Sequence, residues 1–187
     1  MNDVNKEAIQ LVLCDMDGTL LLPDHTLSPR NIEAVKALQA AGIYFTLASG
    51  RPPRAMRAII KQLGIELPVA GFNGGLLVNP QGEYLQSHHV HPDAVCKTLA
   101  LLADHKVEVW LFVDDQWLLR DPLGEMVEHE QQGLGYAPKV VESFEPYLHQ
   151  VHKIVATCND ASLLIDLEQR LQPLLNGLAV SWPNALP

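Results

Sequence analysis

Two aspartates separated by one residue follow the first apolar segment of the chain. Asp15 and Asp17 are followed at once by a glycine that lets the backbone turn, in the run DMDGT at residues 15–19. Two carboxylates this close repel each other and favour a hard divalent cation such as Mg2+, which binds through oxygen and offsets the repulsion. A phosphate dianion can then approach the site. These residue types predict Asp15 as a nucleophile and Asp17 as a general acid and then a base.

A second loop carries groups that bind phosphate. Ser49 and Gly50 follow the next strand-like segment, residues 43–48. The Ser49 hydroxyl and the backbone N–H groups around Gly50 are suited to hold phosphate oxygens. The alternative interpretation is that the two aspartates form only a polar turn. A second polar loop directly after the next strand disfavours that alternative.

Alternating strands and helices position these loops. Residues 8–14, 43–48 and 69–72 have the apolar composition of buried strands, and amphipathic helices are predicted to begin after Ser28 and near Pro52. This alternation predicts an α/β fold with right-handed crossovers and a parallel sheet of three strands. The loops after the strands then meet at one edge of the sheet, where ligands bind in open α/β sheets.

The second half of the chain has a different pattern, which is typical of an α+β unit with hairpins. We therefore predict a first part at residues 1–82 and a second part at residues 83–187. The elements predicted after residue 75 are hairpins at 76–86 and 107–120, helices at 92–105, from about 123 and at 161–175, and strands at 151–158 and 178–182.

Composition excludes several classes of protein. The 187 residues include 13 Lys and Arg against 22 Asp and Glu, a formal net charge of -9, and this acidity disfavours nucleic acid and anionic membranes as partners. The sequence shows neither a secretory signal nor an apolar segment of the roughly 20 residues that span a bilayer. Cys14 is expected to be inert because it lies on a buried strand. Three cysteines without a Cys-x-x-Cys pair favour reduced thiols, so a cytoplasmic protein is predicted.

Three runs of residues together resemble the haloacid dehalogenase-like phosphatases of the Cof type. The runs are DMDGTLL at 15–21, SGRP at 49–52 and FNGG at 72–75, and the resemblance extends along essentially the whole chain. It implies Mg2+-dependent hydrolysis of small phosphate monoesters, such as sugar phosphates or phosphorylated cofactors, through an aspartyl-phosphate. It also implies a partial Rossmann-like parallel core of three strands, with residues 83–187 as an α+β cap domain inserted after the third core strand.

The resemblance also assigns roles to individual residues. Asp15 matches the nucleophile, which is also a metal ligand. Asp17 matches the general acid and base, whose backbone carbonyl also binds the metal. The other matching positions are those that contact the phosphoryl group, Met16, Ser49 and Gly50, and those that line the site, Arg51 and Asn73.

One part of the family pattern is missing from the sequence. Family members carry a lysine and then a Gly-Asp-x-x-Asn-Asp loop on core segments after the cap, and this sequence ends about where the cap should lead back to the core. We therefore expect that the C-terminal core segment is absent, that the chain is a fragment, and that it has little or no activity. Lys153 lies in a predicted cap strand and is not expected to replace the lysine. Residues 11–14 are expected to present an apolar edge, which favours pairing with another chain.

Two other functions are kept as alternatives. A phosphomutase shares this core and a similar cap, and a non-catalytic protein that binds phosphorylated metabolites would not need the missing lysine. Neither the substrate among small phosphorylated metabolites nor the oligomeric state follows from the sequence.

Several polar residues of the second half are interpreted as structural. His88, His89 and His91 are expected to lie in a solvated linker rather than to bind a metal. Asp114 and Asp115 fit a hairpin turn, with a role in substrate selection as the alternative.

Overall fold

The structure is a computed structural model in which residues 9–181 are described. Its contacts divide the chain into two compact units, Met1–Ser87 and His88–Pro187. The division falls a few residues after the predicted boundary at 82/83. The reason is that the strand Tyr84–Ser87 pairs with the strand Leu76–Val78 and so belongs to the first unit.

The first unit alternates strands and helices, as the sequence predicts. Strands β1 and β2 pair in parallel, and an isolated parallel bridge between Ala48 and Ala70 joins β2 to β3. Strands β3, β4 and β5 form an antiparallel meander. The elements are β1 (Leu11–Cys14), α1 (Pro29–Ala40), β2 (Tyr44–Leu47), α2 (Pro53–Leu63), β3 (Val69–Gly71), β4 (Leu76–Val78) and β5 (Tyr84–Ser87).

Local sequence signals explain where these helices begin and end. The Ser28 hydroxyl accepts the backbone N–H of Asn31 at 3.0 Å and so caps α1, whose first residue is a proline. Helix α2 ends at Gly64, which has a φ of 61° in the left-handed region. These caps fix the lengths of the helices, and the lengths determine where the following strands begin.

Strand β1 exposes apolar side chains. Within residues 9–181, its one hydrogen-bonded neighbour is β2. Leu11 and Leu13 are 52% and 62% exposed, and Ile9, two residues before the strand, is 69% exposed. The apolar surface expected at this strand is therefore present in the structure.

The second unit is built around a four-stranded sheet of order β8-β7-β6-β9, in which the pairs are antiparallel except for β7 with β8. Its core includes Val95, Leu111, Val113, Leu118 and Val151, each at most 1% exposed. The elements are α3 (Pro92–Ala103), β6 (Glu108–Val113), β7 (Gln116–Leu119), α4 (Val127–Leu134), β8 (Lys139–Val140), β9 (Val151–Thr157) and α5 (Ala161–Leu175).

The prediction of a C-terminal strand at 178–182 is wrong for residues 178–181, which form no strand. Residue 182 lies outside the described residues. After α5 the chain takes a left-handed turn at Asn176 and folds back along the helix. The Gln172 side-chain amide donates to the carbonyl oxygen of Ser181 at 2.7 Å and holds this segment there. No helix within residues 9–181 is long and apolar enough to cross a membrane.

Candidate active site

The first predicted loop is a tight turn that begins where β1 ends. Leu21 donates its backbone N–H to the carbonyl oxygen of Met16 at 2.9 Å, and Gly18 takes the left-handed conformation with a φ of 73°. Met16, between the two aspartates, is fully buried. The Thr19 hydroxyl donates to Oδ2 of Asp15 at 3.4 Å and orients that carboxylate.

Asp17 and Arg51 form a bidentate ion pair. Nε of Arg51 lies 2.7 Å from Oδ2 of Asp17, and Nη2 lies 2.6 Å from Oδ1. Two parallel, charge-assisted hydrogen bonds of this kind fix both geometry and charge. The loops after β1 and β2, predicted to meet at one edge of the sheet, are therefore in direct contact.

The ion pair changes the acidity of Asp17. Partial burial by itself acts to raise the pKa of this carboxyl group, but the hydrogen bonds and the positive charge of Arg51 outweigh it. His25 acts in the same direction as Arg51, and the pKa of Asp17 lies below its ordinary value. Asp17 is therefore ionised at neutral pH in this arrangement.

Sequence reasoning missed His25. Its Nδ1 lies 3.2 Å from Oδ1 of Asp17 and 3.0 Å from Nη2 of Arg51. The ring reaches this place because His25 takes a left-handed conformation with a φ of 61°. A local signal for a turn does exist, since Asp24 accepts the Thr26 backbone N–H at 3.0 Å, but it says nothing about the direction of the ring.

The loops after β2 and β3 are joined by backbone hydrogen bonds. Ser49 donates its N–H to Ala70 at 2.9 Å and accepts the N–H of Asn73 at 2.8 Å, while Phe72 donates to the carbonyl of Arg51 at 3.0 Å. The Ser49 hydroxyl is buried and accepts the backbone N–H of Arg51 at 3.2 Å. A hydroxyl that accepts in this way can still donate its own hydrogen to a phosphate oxygen.

Gly50 and Asn73 lie against each other. A Cβ added to Gly50 would lie 3.3 Å from Oδ1 of Asn73, closer than ordinary packing. Asn73 has a φ of 55°, a conformation that asparagine tolerates better than most residues. The seven residues predicted for the site therefore lie in the three loops after β1, β2 and β3, and their roles stay predictions.

The oxygen donors after β1 fit Mg2+. The Asp15 side chain is exposed, whereas both carboxylate oxygens of Asp17 accept hydrogen bonds from Arg51. Mg2+ in proteins takes one or two carboxylates and keeps several waters. With the Asp17 carboxylate engaged by Arg51, the Asp15 carboxylate is the more accessible oxygen donor of this turn.

The thiol next to this site is kept protonated. Burial raises the pKa of Cys14, and the charge of Asp15 raises it further. Sγ of Cys14 donates to the backbone carbonyl of Asp15 at 3.2 Å. These contacts agree with the expectation that Cys14 is inert.

A second group of ionisable side chains lies wholly within the second unit. One ligand atom from each of His89, Asp114 and His152 lies within 4.8 Å of the others. Asp114 lies in the turn between β6 and β7, as predicted, and His91 accepts the N–H of Asp93 at the start of α3. The sequence predicts a solvated linker for the nearby histidines and does not predict this cluster.

The chain matches the model of one protein family over nearly its whole length. The family is that of the haloacid dehalogenase-like hydrolases, and the match covers residues 12–186. The chain belongs to this family. The match confirms the resemblance carried by the motifs of the three loops.

Among curated haloacid dehalogenase-like relatives, the HMP-PP phosphatase of Enterobacter sp. (strain 638) is 28% identical over 170 residues. The alignment covers 91% of this chain and 62% of the relative. This chain therefore spans less than two thirds of that protein's length.

Solved structures show the same fold. A haloacid dehalogenase-like hydrolase from Bacteroides thetaiotaomicron superposes with a TM-score of 0.79 at 23% identity, over 91% of this chain and 65% of that one. A subclass IIB sugar phosphatase superposes with a TM-score of 0.74 at 20% identity, over 90% and 64%. These likenesses confirm the predicted fold class, an α/β core with a cap domain.

Proposed function

We propose that this protein is a Mg2+-dependent phosphatase for small phosphate monoesters, such as sugar phosphates or phosphorylated cofactors. The observation that carries the proposal is the contact between Arg51 and Asp17, which brings a guanidinium from the loop after β2 to the loop that carries Asp15. A nucleophile, an acid-base group and a phosphate-binding cation then share one edge of the sheet. The names of the HMP-PP phosphatase and the sugar phosphatase support the reaction class.

Asp15 is the nucleophile in this proposal. One of its carboxylate oxygens attacks phosphorus, and the bond from phosphorus to the ester oxygen breaks to leave an aspartyl-phosphate. Asp17 gives a proton to the departing oxygen. In the second step Asp17 takes a proton from water while that water attacks phosphorus, so that inorganic phosphate leaves and the Asp15 carboxylate is restored.

Arg51 serves two partners in this scheme. A guanidinium binds phosphate as well as carboxylate, so a substrate phosphate competes with Asp17 for Arg51. Loss of the ion pair frees Asp17 to hold the proton that the first step needs. In the structure as it stands, with the pair formed, Asp17 is ionised and suited to the second step.

The remaining predicted residues hold the phosphoryl group. The Ser49 hydroxyl, the backbone around Gly50 and the backbone N–H of Met16 supply donors, and Asn73 lies against Gly50. Mg2+, held by the Asp15 carboxylate and the Asp17 backbone carbonyl, would neutralise charge on the phosphate oxygens. A small phosphorylated metabolite in the cytoplasm is the proposed substrate, and no nucleic acid or membrane is needed.

The test is the release of p-nitrophenol from p-nitrophenyl phosphate, with and without Mg2+. We expect Asp15→Asn to lower the rate by about 10^3-fold or more, since losing even one preorganised electrostatic group costs about 10^2 to 10^3. Asp166→Asn is the matched control, because Asp166 is 60% exposed on α5. A measurable rate that is equal in Asp15→Asn and the unaltered protein would contradict the proposal.

The same experiment separates the alternatives. A phosphomutase would require an activating bisphosphate and would return a phosphate ester instead of inorganic phosphate. A non-catalytic binding protein would bind phosphate esters saturably without turnover, and the binding would survive in Asp15→Asn. Weak activity of these 187 residues alone stays a prediction, which the assay of this chain tests directly.

A further inference from the structure

The cluster of His89, Asp114 and His152 is assembled by the sheet of the second unit. His152 lies on β9 where the pairing with β6 is irregular, because Phe112 pairs with Lys153 but Val113 pairs with Val151. This β-bulge leaves His152 out of the ladder, and bulges commonly redirect a side chain beside a functional site. The side chain of His152 is fully buried, at 0% exposure.

One hydrogen bond assigns the proton on the ring of His152. Its Nδ1 lies 2.9 Å from the backbone carbonyl oxygen of His88, and a carbonyl can only accept. Nδ1 therefore carries hydrogen, and in the neutral ring the lone pair is on Nε2. That is the arrangement of metal-binding histidines, whose second nitrogen donates to a carbonyl or carboxylate.

Nε2 of His152 lies 3.5 Å from Oδ1 of Asp114. In the neutral ring this lone pair faces a carboxylate oxygen, which is repulsive unless a proton or a metal cation lies between them. The separation is at the long limit for a hydrogen bond. It is close to the roughly 3.3 Å that separates two ligands of a tetrahedral ion with bonds of about 2.0 to 2.1 Å.

His89 completes the set. Its ring centroid lies 4.5 Å from that of His152, and the greatest separation among the three ligand atoms is within 4.8 Å. Contraction to tetrahedral spacing therefore needs a movement of roughly 1.5 Å or less, by the bond lengths above. His89 is exposed, so its ring can turn without disturbing the core.

We propose that His89, Asp114 and His152 form a binding site for a borderline divalent cation, Zn2+ in particular. Two imidazole nitrogens and one carboxylate oxygen suit Zn2+, whereas Mg2+ prefers oxygen alone. Three protein ligands leave a fourth position for water. The bound ion joins three segments that are distant in sequence: the residues before α3, the turn between β6 and β7, and the start of β9.

The test is Zn2+ titration of the chelator-stripped protein, in competition with a chromophoric zinc indicator and with excess Mg2+ present to occupy oxygen sites. We expect one Zn2+ per chain. His89→Ala and Asp114→Asn should each weaken binding by about 100-fold or more, since loss of a mere outer-shell partner already costs 10- to 100-fold. His88→Ala is the matched control, because it removes a neighbouring imidazole but keeps the backbone carbonyl that accepts from His152.

Melting temperature and Co2+ absorption test whether the ion binds the folded protein at these three side chains. Zn2+ should raise the melting temperature of the unaltered protein and of His88→Ala, but not of His89→Ala. Co2+ in place of Zn2+ should give the visible absorption of a four-coordinate ion. Absence of 1:1 binding, or equal affinities in His89→Ala, Asp114→Asn and the unaltered protein, would overturn the proposal and leave a proton rather than a metal between His152 and Asp114.

Discussion

The two units gather their polar side chains in different ways. In the first unit, Asp15, Ser49 and Asn73 each follow the end of a strand, so parallel pairing and short loops bring them together. In the second, His89, Asp114 and His152 come from a linker, a hairpin turn and a bulge. Polar residues at the ends of consecutive parallel strands can be found by sequence motif, while those assembled through antiparallel register cannot.

The two units also differ in how far their sheets bury apolar side chains. Strand β6 lies between β7 and β9, and Leu111, Phe112 and Val113 on it are at most 1% exposed. Strand β1 has β2 as its hydrogen-bonded neighbour among residues 9–181, and Leu11 and Leu13 are more than half exposed. The second unit therefore buries the side chains of its central strand β6, whereas β1, which pairs with β2 alone among the described residues, keeps two leucines exposed.

The largest expected effect on stability comes from matched leucines in these two strands. Leu111→Ala leaves a cavity in a closed core and should lower the free energy of unfolding by about 2 to 5 kcal/mol. Leu13→Ala, at a 62% exposed position, should change it by no more than about 0.5 kcal/mol. Amide hydrogen exchange of the full chain measures both effects. The protection of β6 reports on Leu111→Ala, and the protection of β2, the partner of β1, reports on Leu13→Ala. A cost for Leu13→Ala as large as that for Leu111→Ala would mean that β1 is covered in solution.

A pair of glycines should give the next largest effect. A Cβ on Gly71 would lie 2.6 Å from Cδ of Pro53 and 3.0 Å from the carbonyl oxygen of Arg51, so Gly71→Ala should cost about 1 to 3 kcal/mol. A Cβ on Gly133, in α4, would meet nothing within 4 Å, so Gly133→Ala should be neutral or stabilise by up to about 1 kcal/mol. Thermal melts of both variants measure these effects. Similar shifts in melting temperature would contradict the difference in packing at the two glycines.

The smallest effects concern the caps of α1 and α5, which differ in charge. Ser28→Ala should cost about 1 kcal/mol at any pH, because a hydroxyl cap does not titrate in this range. The backbone N–H of Leu163 lowers the pKa of Asp160, with Ser162 adding to the effect, from the ordinary value of 3.8. The Asp160 cap therefore stabilises fully above that value, and its contribution is lost as the pH falls through the lower folded-state pKa.

The measurement is the stability of Asp160→Ala and Ser28→Ala relative to the unaltered protein, at neutral pH and below pH 3.8. The destabilisation by Asp160→Ala should shrink in acid, while that by Ser28→Ala stays constant. A constant difference for both variants would show that the Asp160 carboxylate does not act as a charged cap.

Much of the fold follows from local signals in the sequence. Ser28 and Gly64 mark helix ends, and α5 has the predicted bounds, 161–175, because its cap and apolar spacing are local. Strand β8 was not predicted, since two residues carry no periodicity. Residues 178–181 of the strand predicted at 178–182 instead fold back along α5, which depends on a tertiary contact of Gln172.

The candidate site was predictable in its loops but not in its side-chain geometry. The motifs identify Asp15, Asp17 and Arg51, yet the bidentate pair depends on rotamers that no spacing fixes. His25 reaches Asp17 through a left-handed turn, and His152 faces Asp114 through a bulge. Both depend on backbone irregularities, which periodic patterns do not report.

The backbone hydrogen bonds that join the loops after β2 and β3 also affect the thermodynamics of ligand binding. Because Ser49 and Asn73 are already held in place, the loss of conformational entropy that orders them occurs during folding and not when a ligand arrives. In the proposed function, a substrate phosphate would therefore dock against groups that barely move. We expect such binding to leave the amide exchange of Ser49, Phe72 and Asn73 almost unchanged, as in a preorganised receptor.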